Sequence, residues 1–137
     1  NLKEWMILSR KLNILGTEYN LIFLEEPDQY MKENGFDAYV DYFQQNIVIL
    51  VENKGDDFTR GITESSIAIK HEIIHAFLHE SGLPSNVCSF HTEDCVEYFS
   101  RQFAKIAVAI QEGMEELYCE FVEMDHEEAQ SDNPRSE

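Results

Sequence analysis

Thr63-Glu64-Ser65-Ser66-Ile67-Ala68-Ile69-Lys70-His71-Glu72-Ile73-Ile74-His75-Ala76-Phe77-Leu78-His79-Glu80-Ser81-Gly82 is where the hydrophobic period of the chain changes. Ile67, Ile74 and Leu78 fall with His71 and His75 on one stripe of a 3.6-residue period, which predicts a helix over Thr63 to Ser81. Gly82 suits the left-handed residue that closes a helix, and Pro84 stops any continuation.

Upstream of this helix the pattern is that of strands. Leu12 to Leu15 and Tyr19 to Leu24 are apolar, rich in β-formers and separated by Gly16-Thr17, as in a hairpin. Glu25 to Gly35 is polar, holds Pro27 and reads as a loop or a short helix. Phe36 to Tyr42 and Gln45 to Val51 form a second pair of strands around a turn at Gln44-Gln45-Asn46, and Ala38 to Tyr42 alternates with period two. Asn53 to Gly61 reads as a loop. Downstream, Val96, Phe99, Phe103, Ile106 and Ile110 recur at three and four, predicting a long helix from His91 or Thr92 to about Val122. Thr92 suits its N-cap, with Glu93 and Asp94 in the first turn to meet the helix dipole. The expected architecture is α+β: a small antiparallel sheet packed on the histidine-bearing helix and a long C-terminal helix.

The chain has 137 residues, 43% of them hydrophobic, enough for one domain with a core. It carries 27 acids against 10 bases, a net charge of −17. Phosphate affinity comes from Lys and Arg, so nucleic acid is excluded as a partner reached through a basic patch, and an anionic membrane surface is disfavoured. Apolar runs such as Ile47 to Val51 are too short to span a bilayer. Cys88, Cys95 and Cys119 are odd in number and lack framework spacing, so they read as free thiols of a cytoplasmic protein. Gln111 to Glu137 holds ten acids and one base, Arg135. The expected division is a single domain over residues 1–123 and an acidic, disordered tail over residues 124–137.

His71-Glu72-Ile73-Ile74-His75 is an H-E-x-x-H pattern. Residues four apart lie one turn above each other, so the two imidazoles can address one zinc ion at about 2.0–2.1 Å. Glu72 lies about 100° around the helix from His71, where its carboxylate can act as general base without ligating the metal. With five His and 19 Glu, chance would produce the pattern in roughly 2–3% of such chains, so its helical context carries weight.

A catalytic zinc takes three protein ligands and keeps one position open. His79 is a poor third ligand, since eight residues of helix span about 12 Å. Glu93, at the start of the next helix, is the expected third ligand, and Glu97, one turn on, the acceptor for the free N–H of a ligand histidine. The reverse assignment of Glu93 and Glu97 stays open, as does His91 as ligand. Asp94 points away from Glu93 and complements the helix dipole.

The run from His71 to Leu83 resembles the active-site helix of small phage- and prophage-type metallopeptidases of Gram-positive bacteria, the ImmA/IrrE-like minimal gluzincins. The resemblance extends to Ile14 through Tyr19, to Gly35 through Ile49 and to Glu93 through Phe99, and covers roughly residues 11–110. Gluzincins carry Glu-x-x-x-Asp on the downstream helix. Glu93 and Glu97 match it with Glu for Asp, while Thr92 and Tyr98 stand where Asn and Trp are usual. The resemblance implies a zincin-like fold, one zinc per chain and peptide-bond hydrolysis with Glu72 as base. The implied substrate is a peptide or protein, a phage or host regulator such as a repressor. Tyr39, Tyr42 and His79 are the candidates for stabilising the oxyanion. The alternative expectation is a non-catalytic acidic interaction protein whose zinc is structural or vestigial.

Overall fold

The computed structural model describes residues 6–51 and 58–131. Four strands and three helices follow in the order β1 (Met6–Ile14), β2 (Thr17–Leu24), α1 (Gln29–Asn34), β3 (Ala38–Asp41), β4 (Asn46–Leu50), α2 (Phe58–Glu80) and α3 (Glu93–Ser131). The class is α+β, as the pattern predicts.

β1 and β2 form an antiparallel hairpin with Ile14 opposite Thr17. Its two-residue turn needs positive φ at both positions, which Leu15 (50°) and Gly16 (91°) adopt. The Asn13 side chain accepts the Gly16 N–H at 2.7 Å and closes the turn. β3 and β4 also pair antiparallel, with Asp41 opposite Asn46. The Asp41 carboxylate accepts from the N–H groups of Phe43 and Gln44, which folds the loop between them.

The strand order is β1-β2-β4-β3, and β2 and β4 run parallel. The sheet is therefore mixed, not wholly antiparallel as expected. Each sequential pair does form a hairpin, but β4 returns alongside β2 and leaves β3 at the edge. The Ile47-Val48-Ile49 run, buried throughout, is the local trace of that central position: a strand covered on both faces has no solvent side to alternate with.

Alternation sorts the sheet residues into two cores. Tyr19, Leu21, Ile47 and Ile49 pack with Ala76 of α2, flanked by Ala68, Ile69 and Ile73. Ile22, Leu24 and Val48 pack on the other face against Met31 of α1. Asp28 caps α1, accepting the Met31 N–H at 2.9 Å, and Gly35 ends it at φ 69°. The Glu25 to Gly35 segment thus contains a short helix.

α2 packs on the sheet through Ala68, Ile69, Ile73 and Ala76, around the helix from Ile67. Ile67 is 46% exposed, and Ala76, nine residues on and half a turn round, is fully buried. Where a helix lies close on a sheet, small Ala68 and Ala76 serve as well. α2 ends in paired hydrogen bonds, Gly82 N–H to the His79 carbonyl (3.1 Å) and Leu83 N–H to the Leu78 carbonyl (3.0 Å), with Gly82 at φ 78°. Tyr19 and Thr17 of β2 donate to the Glu80 carboxylate at 2.6 and 2.9 Å, tying the end of α2 to the sheet.

The chain divides into two compact units, residues 1–101 and 102–137. The first contains the sheet, α1, α2 and the start of α3, where Val96 and Ser100 are buried. The Thr92 hydroxyl caps α3, accepting the Cys95 N–H at 3.2 Å. The second is the remainder of α3, which stays helical to Ser131, beyond the expected end near Val122 and into the segment expected to be disordered. Of the expected tail, residues 132–137 lie outside the described residues, as does most of the Asn53 to Gly61 loop.

Candidate metal centre

His71 and His75 leave α2 from adjacent turns, and their Nε2 atoms stand 3.2 Å apart. Glu93, the first residue of α3, faces both: Oε2 lies 3.1 Å from His71 Nε2 and Oε1 3.2 Å from His75 Nε2. The imidazoles are largely buried and the Glu93 side chain is 75% exposed, so the three donors converge with the carboxylate on the solvent side.

The loop from Ser81 to Thr92 makes this approach possible. The Pro84 carbonyl accepts from the N–H groups of Val87 and Cys88, which turns the chain back. His91 then reaches behind α2: its Nδ1 is 2.7 Å from the Leu83 carbonyl oxygen and its Nε2 2.7 Å from His75 Nδ1. Behind the other ring, Glu97 Oε2 lies 3.1 Å from His71 Nδ1. Of the three candidates for third ligand, Glu93 therefore faces the two Nε2 atoms, while Glu97 and His91 stand against the Nδ1 edges. Arg101 donates from Nε to Glu97 Oε1 at 2.6 Å. Arg101 was not singled out in the sequence, although its four-residue spacing from Glu97 is a legible signal.

Glu72 is buried beside this group and lines the same open cleft, of about 310 Å³, with Ala38, Val40, Tyr42, His71, His75 and Glu93. Burial pushes its carboxyl up to about 7; His71 opposes that shift and negative Glu93 adds to it. Burial also lowers His75, against the pull of Glu93 and with positive charge on His71 or His91 working in the same direction, which favours the neutral imidazole that a metal ligand requires.

The three oxyanion candidates part company. Tyr39 also lines the cleft, but its hydroxyl donates to Asp28 Oδ2 at 2.6 Å, and its ring packs with the core on the α1 side of the sheet. Tyr42 follows β3 and lines the cleft. Its hydroxyl is pushed up to about 12 by burial, with the charges of Glu72 and Glu93 adding to it. His79 stacks on the Tyr42 ring, with centroids 4.1 Å apart and planes 13° from parallel.

The donor set can be tested against zinc by geometry. Tetrahedral bonds of about 2.0–2.1 Å place neighbouring ligand atoms about 3.3 Å apart. The two Nε2 atoms are 3.2 Å apart, and each lies at a similar distance from one oxygen of Glu93, His71 at 3.1 Å from Oε2 and His75 at 3.2 Å from Oε1, so the carboxylate faces the shared point with both oxygens. Two imidazoles and a carboxylate, with an open side toward a cleft, also make a donor set of the catalytic type. Among the described residues, His71, His75 and Glu93 are the group of metal-ligating side chains close enough to share an ion. No family model, no curated protein and no solved structure matches this chain.

Proposed function

We propose that the chain is a zinc-dependent metallopeptidase of the ImmA/IrrE-like minimal gluzincin kind, hydrolysing a peptide bond in a phage or host regulatory protein. The observation that carries this reading is the triangle of His71, His75 and Glu93 donors opening on a cleft in which Glu72 is buried. When bound, zinc would supply a Lewis acid that polarises the scissile carbonyl and brings the pKa of water toward ~7.

The residues of the chain do the rest. Glu72 takes a proton from the attacking water and returns it to the leaving amine. Its burial favours this, because a carboxylate out of water is a stronger base than one in it. Tyr42 stays protonated at neutral pH and offers its hydroxyl to the charge that builds on the carbonyl oxygen. Glu97 and His91 hold the two imidazoles from behind.

Among the described residues no helix is long and apolar enough to cross a membrane. With Cys88, Cys95 and Cys119 all free, this supports a cytoplasmic protein.

Metal analysis of purified protein is the first test, with one zinc per chain expected and His75→Ala expected to lose it. A zinc content unchanged in His75→Ala would end the reading. One observation favours a second reading, an acidic interaction protein with a structural or vestigial zinc: the net charge of −17. Zinc-loaded protein that cleaves no peptide or repressor, yet binds a basic partner, would favour it.

A further inference from the structure

His91 is nearly sealed from solvent, at 4% exposure, and both of its ring nitrogens are engaged at 2.7 Å. We propose that His91 is a positioning residue: it relays the Leu83 carbonyl to His75 and so selects which His75 nitrogen faces the metal.

The selection follows from donor and acceptor counting. A carbonyl oxygen only accepts, so His91 Nδ1 must carry the proton that points at Leu83. A neutral imidazole has one N–H, which leaves a lone pair on His91 Nε2. That lone pair lies 2.7 Å from His75 Nδ1, so His75 must carry its own proton there. Its Nε2 is then bare and directed at the point shared with His71 Nε2 and Glu93. The other His75 tautomer could donate to Glu93 Oε1 at 3.2 Å, but that carboxylate is 75% exposed and served by water, whereas two lone pairs would then face each other at 2.7 Å in the nearly sealed space beside His91, the costlier arrangement.

The origin of the relay is backbone geometry. Leu83 is the residue after the left-handed Gly82, and its own N–H is bound to the Leu78 carbonyl. Its carbonyl is therefore placed by the closing turn of α2, the same helix that carries His75. The helix end sets the His91 proton, and His91 sets that of His75. The His75 side chain is only 12% exposed, which leaves little room for water to substitute for His91.

The inference deepens the proposed zinc centre, and its metal-binding arm rests on that reading; its tautomer arm does not. Imidazole nitrogen–proton correlation spectra of metal-free wild type at about pH 8.5, above the imidazole range, should show His75 and His91 both protonated at Nδ1 and bare at Nε2. Either ring found protonated at Nε2 overturns the proposal. His91→Phe should lose the His75 preference and bind zinc 10–100-fold more weakly by chelator competition. His91→Gln, whose Oε1 offers an acceptor where Nε2 stood, should recover most of that loss. A folded His91→Phe with wild-type zinc affinity, or a His91→Gln as weak as His91→Phe, refutes it. If His91→Phe does not fold, the wild-type spectrum decides alone. If wild type takes up no zinc, the peptidase reading fails, and the spectrum still decides the role of His91.

Discussion

Oε2 of Glu97 lies 3.1 Å from Nδ1 of His71, on the ring edge turned away from Glu93. A carboxylate there accepts the Nδ1–H and leaves Nε2 free for a metal. Arg101 first, and His71 second, hold the Glu97 carboxyl below its usual range, so it stays ionised. Glu97→Ala should therefore weaken zinc binding 10–100-fold. Arg101→Ala should do less, because exposed ion pairs contribute little and Glu97 remains. Zinc competition titrations on both variants check the order, and a larger loss in Arg101→Ala would contradict it.

Glu72→Gln should keep both fold and zinc, since amide and carboxylate share a shape and Glu72 is not one of the three converging donors. Peptidase activity should fall by ~10²–10⁴-fold, the usual cost of losing a general base. Robust activity at near wild-type rate with zinc still bound would count against the mechanism. Loss of zinc from this variant would instead make Glu72 a ligand.

Tyr39 and Tyr42 are three residues apart and both line the cleft, but the Tyr39 hydroxyl is taken by Asp28. Tyr42→Phe should lower kcat and leave the thermal midpoint nearly unchanged, because its hydroxyl is assigned to the cleft. Tyr39→Phe should behave the other way. Its hydroxyl bond to Asp28 braces β3 against the N-cap of α1, and losing it should cost about 1 kcal/mol of stability with little effect on rate. Paired melting curves and steady-state kinetics separate the two.

The bonds from Tyr19 and then Thr17 hold the Glu80 carboxyl below its usual range. A carboxyl depressed in the folded state contributes stability above its unfolded pKa of about 4.3, and that contribution is lost as pH falls through the folded value. Glu80→Gln should therefore be less stable than wild type at neutral pH, and the gap should narrow as pH drops below about 4.3. Denaturant midpoints measured from pH 7 to pH 3 test the sign; a gap that widens toward acid would be inconsistent with it.

Cys88, Cys95 and Cys119 are free. Unreduced, denatured protein should titrate with three thiols, and a count of one would show a disulfide.

Much of this was open to reading along the chain, because it depends on neighbours a few residues apart. The His71 and His75 pair, the stop at Gly82 and the Thr92 cap all follow from helix geometry of 3.6 residues per turn. The first hairpin and the alternation across Ala38 to Asp41 follow from strand geometry in the same way, although the turn falls at Leu15-Gly16, one residue before the expected Gly16-Thr17. Tertiary structure decided the rest. Parallel pairing of β2 with β4 joins segments that no local pattern relates. Which face of α2 meets the sheet was likewise decided in three dimensions, since periodicity marks an apolar stripe but not how closely the backbone approaches. Glu93, Glu97 and His91 were all named as candidates, yet their places depend on how the Ser81 to Thr92 loop folds back. Sequence by itself determined that two imidazoles and a carboxylate share one helix; only the folded loop decided which acid meets both Nε2 atoms and which histidine stands behind, because metal ligation is set by distances of about 3 Å between groups that spacing along the chain does not fix.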